Sequence, residues 1–171
     1  FNSSLVAEFD ANVRHEVAAA TQRKYQFHLI EFSAWLAHPK AMRGERSTSL
    51  LDVTVADVQR FMGYLKAGHR FAATERCRVH VLSATARKNF HASLHTFYRY
   101  LMSVEMIAAN PVAAVDTPKV VHRPGLTLTI DELRLLLDAP GSPRDRIQVF
   151  LMALTGARVS EAIGLDLDDV A

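Results

Sequence analysis

The chain has 171 residues, 49% hydrophobic and 22% charged, which suffices for one compact domain or two small ones with a sizeable core. No apolar run approaches a membrane span, no basic-then-apolar leader opens the sequence, and the single cysteine, Cys77, excludes an internal disulfide framework, so a cytoplasmic protein is expected. The formal net charge of +2 is unevenly spread: residues 1–120 carry fifteen Lys and Arg against ten Asp and Glu, and residues 121–171 carry five against eight. A basic part joined to a mildly acidic one suggests two units, the first attracted to a polyanion.

Helical periodicity dominates, and no alternating strand pattern is evident. Leu5, Phe9 and Val13 recur at helical intervals across residues 4–18. Thr21 is positioned to cap a second helix running to about residue 37, with Tyr25, Leu29, Phe32 and Leu36 as its apolar stripe. Pro39 ends that stripe, and residues 38–50 read as a polar loop. Thr54 opens a third helix, "VADVQRFMGYLKA", that Gly68 stops. Residues 69–82 fit either a loop or a turn of helix. Ser83 or Thr85 caps a long helix over 85–102, whose core stripe is Phe90, Leu94, Phe97 and Leu101. A short helix is expected in "MIAANPVAAV", bounded by Asn110-Pro111.

Residues 116–125, "DTPKVVHRPG", have two prolines and no periodicity, and read as a linker. Thr129 and Glu132 then form a capping-box pattern ahead of "IDELRLLLDA". Ser142 as cap and Pro143 at the first helical position open the next helix, whose "IQVFLMAL" reads as buried. Gly156 breaks it, because glycine accepts backbone angles that other residues resist. "ARVSEAI" resumes the helical pattern with Arg158 in its first turn, against the positive end of the helix dipole, a placement costing ~0.3–1 kcal/mol unless an anion compensates. Two compensators fit. Glu161 lies three residues on, as an ordinary helical ion pair. Alternatively, the guanidinium fork holds a phosphate.

On the long helix, Lys88, His91, His95 and Arg99 share a face away from the core stripe, flanked by Arg87 and by Thr85 near the helix start. Such a ridge suits a DNA groove, with Lys and Arg meeting phosphates and Arg and His reaching base edges. The second helix starts in the same style with Thr21, Arg23 and Lys24, a hydroxyl and cations where backbone amides point at an anion. A solvated polar face gives the same pattern. Cys77 and His80, followed by His91 and His95, imitate zinc-ligand spacing, but with one cysteine and with Arg76 and Arg78 beside it no metal is expected. Asp166, Asp168 and Asp169 form a local acidic cluster of the solvated kind rather than a magnesium site. No glycine-rich phosphate loop, nucleophile constellation or cofactor motif is present, and no small-molecule substrate or membrane partner is implied.

"LTGARVSEAIGLDLDDV" resembles the first catalytic-arginine motif of the tyrosine recombinases, the phage integrase family, through Thr155, Gly156, Arg158, Ser160, Glu161, Ile163, Leu165 and Asp169. "ATARKNFHASLHTFYRYLMSVEMIAANPVAAVDTPK" and "TQRKYQFHLIEFSAWL" resemble helices of that family's core-binding domain, and the resemblance extends over nearly the whole chain. It implies an all-α fold in two parts: a SAM-like, DNA-gripping helical bundle over 1–115, a linker at 116–125, and the first helices of an incomplete catalytic domain over 126–171. It further implies double-stranded DNA as partner, oligomers on DNA formed through the full-length protein, and strand cleavage through a 3′-phosphotyrosyl link. Arg158 would then clamp the scissile phosphate, with Gly156 and Glu161 supporting it, and Lys119 of the linker would join the DNA contacts. None of Tyr25, Tyr64, Tyr98 and Tyr100 matches the nucleophile's motif, so the 171 residues alone are expected to be inert. A non-catalytic DNA-binding accessory protein and a helical protein-interaction module are the competing readings.

Overall fold

A computed structural model describes residues 2–14, 16–37, 49–67, 81–121, 125, 127–139 and 141–166. The described residues are all-α, without a strand: α1 (Asn2–Val13), α2 (Ala19–Ala37), α3 (Val55–Lys66), α4 (Ala84–Ser103), α5 (Ile130–Asp138), α6 (Pro143–Thr155) and α7 (Val159–Ile163), with a 3-10 turn at Leu50–Asp52. The chain divides into two compact units, Phe1–Val121 and His122–Ala171. The division falls inside the segment read as a linker.

The first unit is organised by interlocked rings. Phe9 of α1 meets Phe97 of α4 edge-on at 5.4 Å and Tyr25 of α2 at 5.9 Å. Phe61 of α3 meets Phe32 at 4.8 Å and Phe90 at 5.9 Å. All four phenylalanines named first in the helical stripes, Phe9, Phe32, Phe90 and Phe97, are buried, as is the lone tryptophan, Trp35. Each such ring contributes about 1.5–3 kcal/mol through burial, and each pair about 0.5–1.5 kcal/mol more. The pairings also set direction. His28 meets Phe90 and Ser93, whereas Tyr25, a turn earlier, shares Phe9 with Phe97, so α2 and α4 run antiparallel. The 3-10 turn is held at both polar groups of Leu50: its N–H donates to Asn2 Oδ1 (3.0 Å) and its carbonyl accepts from the Tyr98 hydroxyl (3.0 Å).

Caps fix the helix starts much as local chemistry predicts. Thr54 and Asp57 bond reciprocally at α3, Ser83 caps α4, Thr129 and Glu132 form a capping box at α5, and Ser142 with Pro143 opens α6. Several expectations are corrected. Helix α1 stops at Val13 rather than near residue 18. Thr21 is not a cap: α2 begins at Ala19, because Ala19 and Ala20 are good helix formers and the Ala18 carbonyl already accepts from Thr21 and Gln22. Thr85 lies inside the first turn of α4 rather than capping it. "MIAANPVAAV" forms turns, not a helix, since Asn110 Oδ1 takes the Val112 N–H at 2.9 Å and competes with helical bonding.

The second unit is held locally. Gly156 closes α6 with φ +70°, the left-handed region where glycine is favoured, and its N–H donates to Met152. Helix α6 is not the buried helix its composition suggests: Ile147 is 60% and Leu154 77% exposed, and among the described residues of this unit only Ala162 is buried. Asp138 and Arg146, 3.9 Å apart and both exposed, add a weak tie from α5 to α6.

Candidate nucleic-acid interface and phosphate site

Four side chains at helical spacing define the polar face of α4, and the structure divides them. Lys88 and Arg99 are exposed and make no ion pair among the described residues. His91 is 7% exposed, and its Nε2 lies 2.9 Å from the Val115 carbonyl. A carbonyl only accepts, so Nε2 carries the proton and donates. His95 is half-buried, its ring 6.4 Å from that of His91, and its backbone carbonyl accepts from Asn110 Nδ2 at 3.1 Å. The expectation of an open four-residue ridge is therefore corrected: the chain after α4 folds back and occupies its middle. Arg87 is half-buried with its Nε buried and unpartnered, and Thr85 is exposed in the first turn.

At the start of α2, Arg23 and Lys24 are exposed and Thr21 is half-buried. Arg23 Nε reaches back to the Ala19 carbonyl at a long 3.4 Å, and Lys24 Nζ stands 5.6 Å from the Tyr25 ring centroid. Because α2 and α4 are antiparallel, Arg23 and Lys24 lie toward the Phe97 end of α4, and Arg87 and Lys88 lie at its opposite end. The exposed cations thus frame the α2–α4 pair at both ends rather than forming one cluster. Lys119 is exposed in the segment 116–121, which has no regular secondary structure.

Sequence reasoning passed over one buried polar pair in this unit. His28 is buried, stacked on Phe90 at 3.8 Å, with Nδ1 2.7 Å from Ser93 Oγ. The Ser93 hydroxyl donates its only proton to the Asn89 carbonyl (3.0 Å), so its oxygen accepts from a neutral His28 ring. Burial, and secondarily the Lys24 charge, lower the His28 pKa to about 4. The signal was available: His28 precedes Phe32 by four residues and shares its stripe.

Arg158 occupies the position just before α7, in extended backbone, rather than its first turn. Its N–H donates to Glu161 Oε2 at 2.7 Å and its Nη1 to Glu161 Oε1 at 2.9 Å. The Arg158 backbone N–H, and then its side chain, hold the Glu161 carboxyl below its usual range. Glu161, the first of the two compensators weighed for Arg158, is bonded to it. The guanidinium nevertheless stands 82% exposed, with only its Nη1 taken by the carboxylate. Gly156 presents open space, with nothing within 4 Å of where a Cβ would sit.

Tyr98 is buried and bonded to Leu50, and burial, with the Asp57 charge adding, pushes its phenol well up. Tyr25, Tyr64 and Tyr100 pack half-buried against the same core. These environments suit structural phenols rather than nucleophiles. Cys77, His80, Asp168 and Asp169 lie outside the described residues, and among the described ones no group of three His, Cys, Asp or Glu is arranged for a metal ion. Nor is any described helix long and apolar enough to cross a membrane.

The chain is 32% identical over 173 residues to tyrosine recombinase XerD of Lacticaseibacillus casei, an alignment covering 97% of this chain and 52% of that protein. Tyrosine recombinase XerC of Myxococcus xanthus is 28% identical over 175 residues, covering 98% of this chain and 52% of that protein. XerD of Mycobacterium tuberculosis is 30% identical over 167 residues, covering 92% of this chain and 50% of that protein. Over nearly its whole length the chain is similar to tyrosine recombinases. It spans about half the length of the curated relatives it matches. No family model matches it, and no solved structure does. The alignment embraces both units, so the α2–α4 pair and the Arg158 turn belong to one continuous likeness.

Proposed function

We propose that this chain supplies the DNA grip and one phosphate-clamping arginine of a site-specific recombinase that breaks and rejoins DNA strands. The observation that carries the reading is the alignment of 97–98% of the chain with tyrosine recombinases at 28–32% identity. The exposed cations of unit 1 agree with it. Lys88 and Arg99 on α4, Arg23 and Lys24 on α2, and Lys119 meet duplex phosphates, with Thr85 and Arg87 at the start of α4. His91 and His95 act from within, shaping the face instead of touching bases. Arg158 binds the scissile phosphate through its free guanidinium nitrogens, stabilising charge as it develops there. Gly156 supplies the left-handed turn that presents it, and Glu161 holds its backbone. The covalent step, a 3′-phosphotyrosyl link, belongs to a tyrosine other than Tyr25, Tyr64, Tyr98 and Tyr100. No cofactor takes part, and assembly into oligomers on DNA accompanies strand exchange.

The test is fluorescence anisotropy on a generic duplex across a salt series. Binding should weaken linearly in log–log form, because each neutralised phosphate releases counterions. Lys88→Ala and Arg99→Ala should each make the slope shallower by about one. Failure to bind at about 50 mM salt, or an unaltered slope in both variants, refutes the DNA reading; a protein-interaction module would give the former.

A further inference from the structure

Helix α4 ends in a sharp reversal, and the chain it releases stays on the bundle. Glu105 takes φ +57°, the Met106 N–H donates to the Leu101 carbonyl at 2.9 Å, and the Glu105 N–H donates to Met102 at 3.1 Å. This is the bonding of a left-handed helix terminus, built here without glycine. Residues 106–115 then retrace α4 in order. Met106 bonds Leu101, Asn110 bonds the His95 carbonyl, and Val115 bonds His91. Val112 is fully buried between these anchors, with Ile107 and Val115 packed beside it. After Val115 the backbone has no regular structure through Val121.

We propose that residues 106–115 form a strap and that His91 is the pin at its far end, so that the linker between the two units starts at Asp116 and not at the end of α4. The chemistry singles out His91. Its Nε2–H is the last side-chain bond from α4 to the strap, and the ring is buried, so water competes poorly for the Val115 carbonyl. The consequence is mechanical. Pinned, the free connection within unit 1 is residues 116–121, about 20 Å at full extension; with His91 unpinned and the Asn110 anchor kept, it is residues 111–121, about 37 Å. A tether nearly twice as long lowers the effective concentration of one unit near the other by roughly two- to threefold. His91 is thus a positioning residue, and the inference rests on unit 1 alone, independent of the DNA reading.

The experiment uses the full chain and compares wild type with His91→Leu and His91→Gln. Amide exchange is followed at Ala113 and Val115, whose N–H groups are bonded within the strap. His91→Leu should raise exchange at both amides roughly fivefold to tenfold, as for one hydrogen bond lost at a sheltered site. Core amides of α1 to α3 should keep their protection. His91→Gln, which retains a side-chain N–H donor, should stay within about twofold of wild type. A strap as protected in His91→Leu as in wild type overturns the proposal, and so does a His91→Gln strap as loose as that of His91→Leu. Should His91→Leu also expose the core, the wild-type ring decides: slow solvent exchange of the His91 Nε2 proton supports the pin, and fast exchange overturns it.

Discussion

Acid should loosen the first unit through His28. The ring is buried, stacked on Phe90 and bonded as a neutral donor to Ser93, so the folded state resists a proton there that the unfolded chain accepts. Its pKa falls from 6.5 to about 4, through burial first and the Lys24 charge second. Between those values the unfolded state binds more protons than the native one, so stability rises with pH across the window. The contribution is complete above about pH 6.5 and is lost as pH falls toward about 4. At about 1.4 kcal/mol per unit, the whole window is worth roughly 3 kcal/mol, of which about 2 kcal/mol is lost between pH 7 and pH 4.5. The sole tryptophan, Trp35, is buried in the same core, so urea unfolding followed by its fluorescence reports this unit. His28→Gln keeps a side-chain donor for Ser93 and removes the titration. Carboxylates common to both proteins cancel in the comparison, so the variant should lose about 2 kcal/mol less than wild type between the two pH values. Equal losses, within about 0.5 kcal/mol, would show that the His28 ring is not held neutral by its surroundings.

Three further substitutions test the backbone chemistry. Glu105→Gly should stabilise the first unit by about 0.5 kcal/mol in the same urea assay, since relief of a left-handed residue (~1–2 kcal/mol) outweighs the extra entropy of an unfolded glycine (~0.5–1 kcal/mol). Gly156→Ala should do the reverse in the second unit: nothing crowds the new methyl group, so the loss of about 1 kcal/mol is backbone strain alone, read as a lower midpoint by circular dichroism. Thr54→Ala removes the hydroxyl that accepts the Asp57 N–H and bonds the Asp57 carboxylate, and should cost about 1 kcal/mol by Trp35 fluorescence.

The helix starts were legible because a cap is decided by residues three apart. Thr54 with Asp57, Thr129 with Glu132, and Ser142 with Pro143 need no knowledge of the rest of the chain. The aromatic stripes were legible for the same reason, and Phe9, Phe32, Phe90 and Phe97 all became core. What failed needed longer-range information. The pattern of residues 106–115 suggests a short helix ended or started by Asn110-Pro111, but their partners are Leu101, His95 and His91, up to 24 residues earlier. The apolar pattern of α6 was read as burial, yet apolarity is a capacity to be covered and does not supply a cover; Ile147 and Leu154 remain exposed. Arg158 with Glu161 shows the opposite case, a pair three residues apart that local spacing alone could name.

Face α4 gives the clearest measure of what periodicity can and cannot say. Helical spacing placed Lys88, His91, His95 and Arg99 together, and the placement holds. It could not say that the face has two tasks. Lysine and arginine carry charge that is costly to bury, so they stay at the ends in water, available to a polyanion. A neutral imidazole is a flat ring with a single N–H to donate, which fits a seam between helix and strap once a carbonyl is supplied. The Val115 carbonyl and the buried Val112 supply that seam, so His91 goes inward where the cations cannot follow, with His95 half-buried a turn away. A reader holding only the sequence sees four basic side chains in a row. Desolvation cost separates Lys88 and Arg99, exposed toward the ends, from His91, whose buried ring bonds the strap, while His95 joins the strap only through its backbone carbonyl.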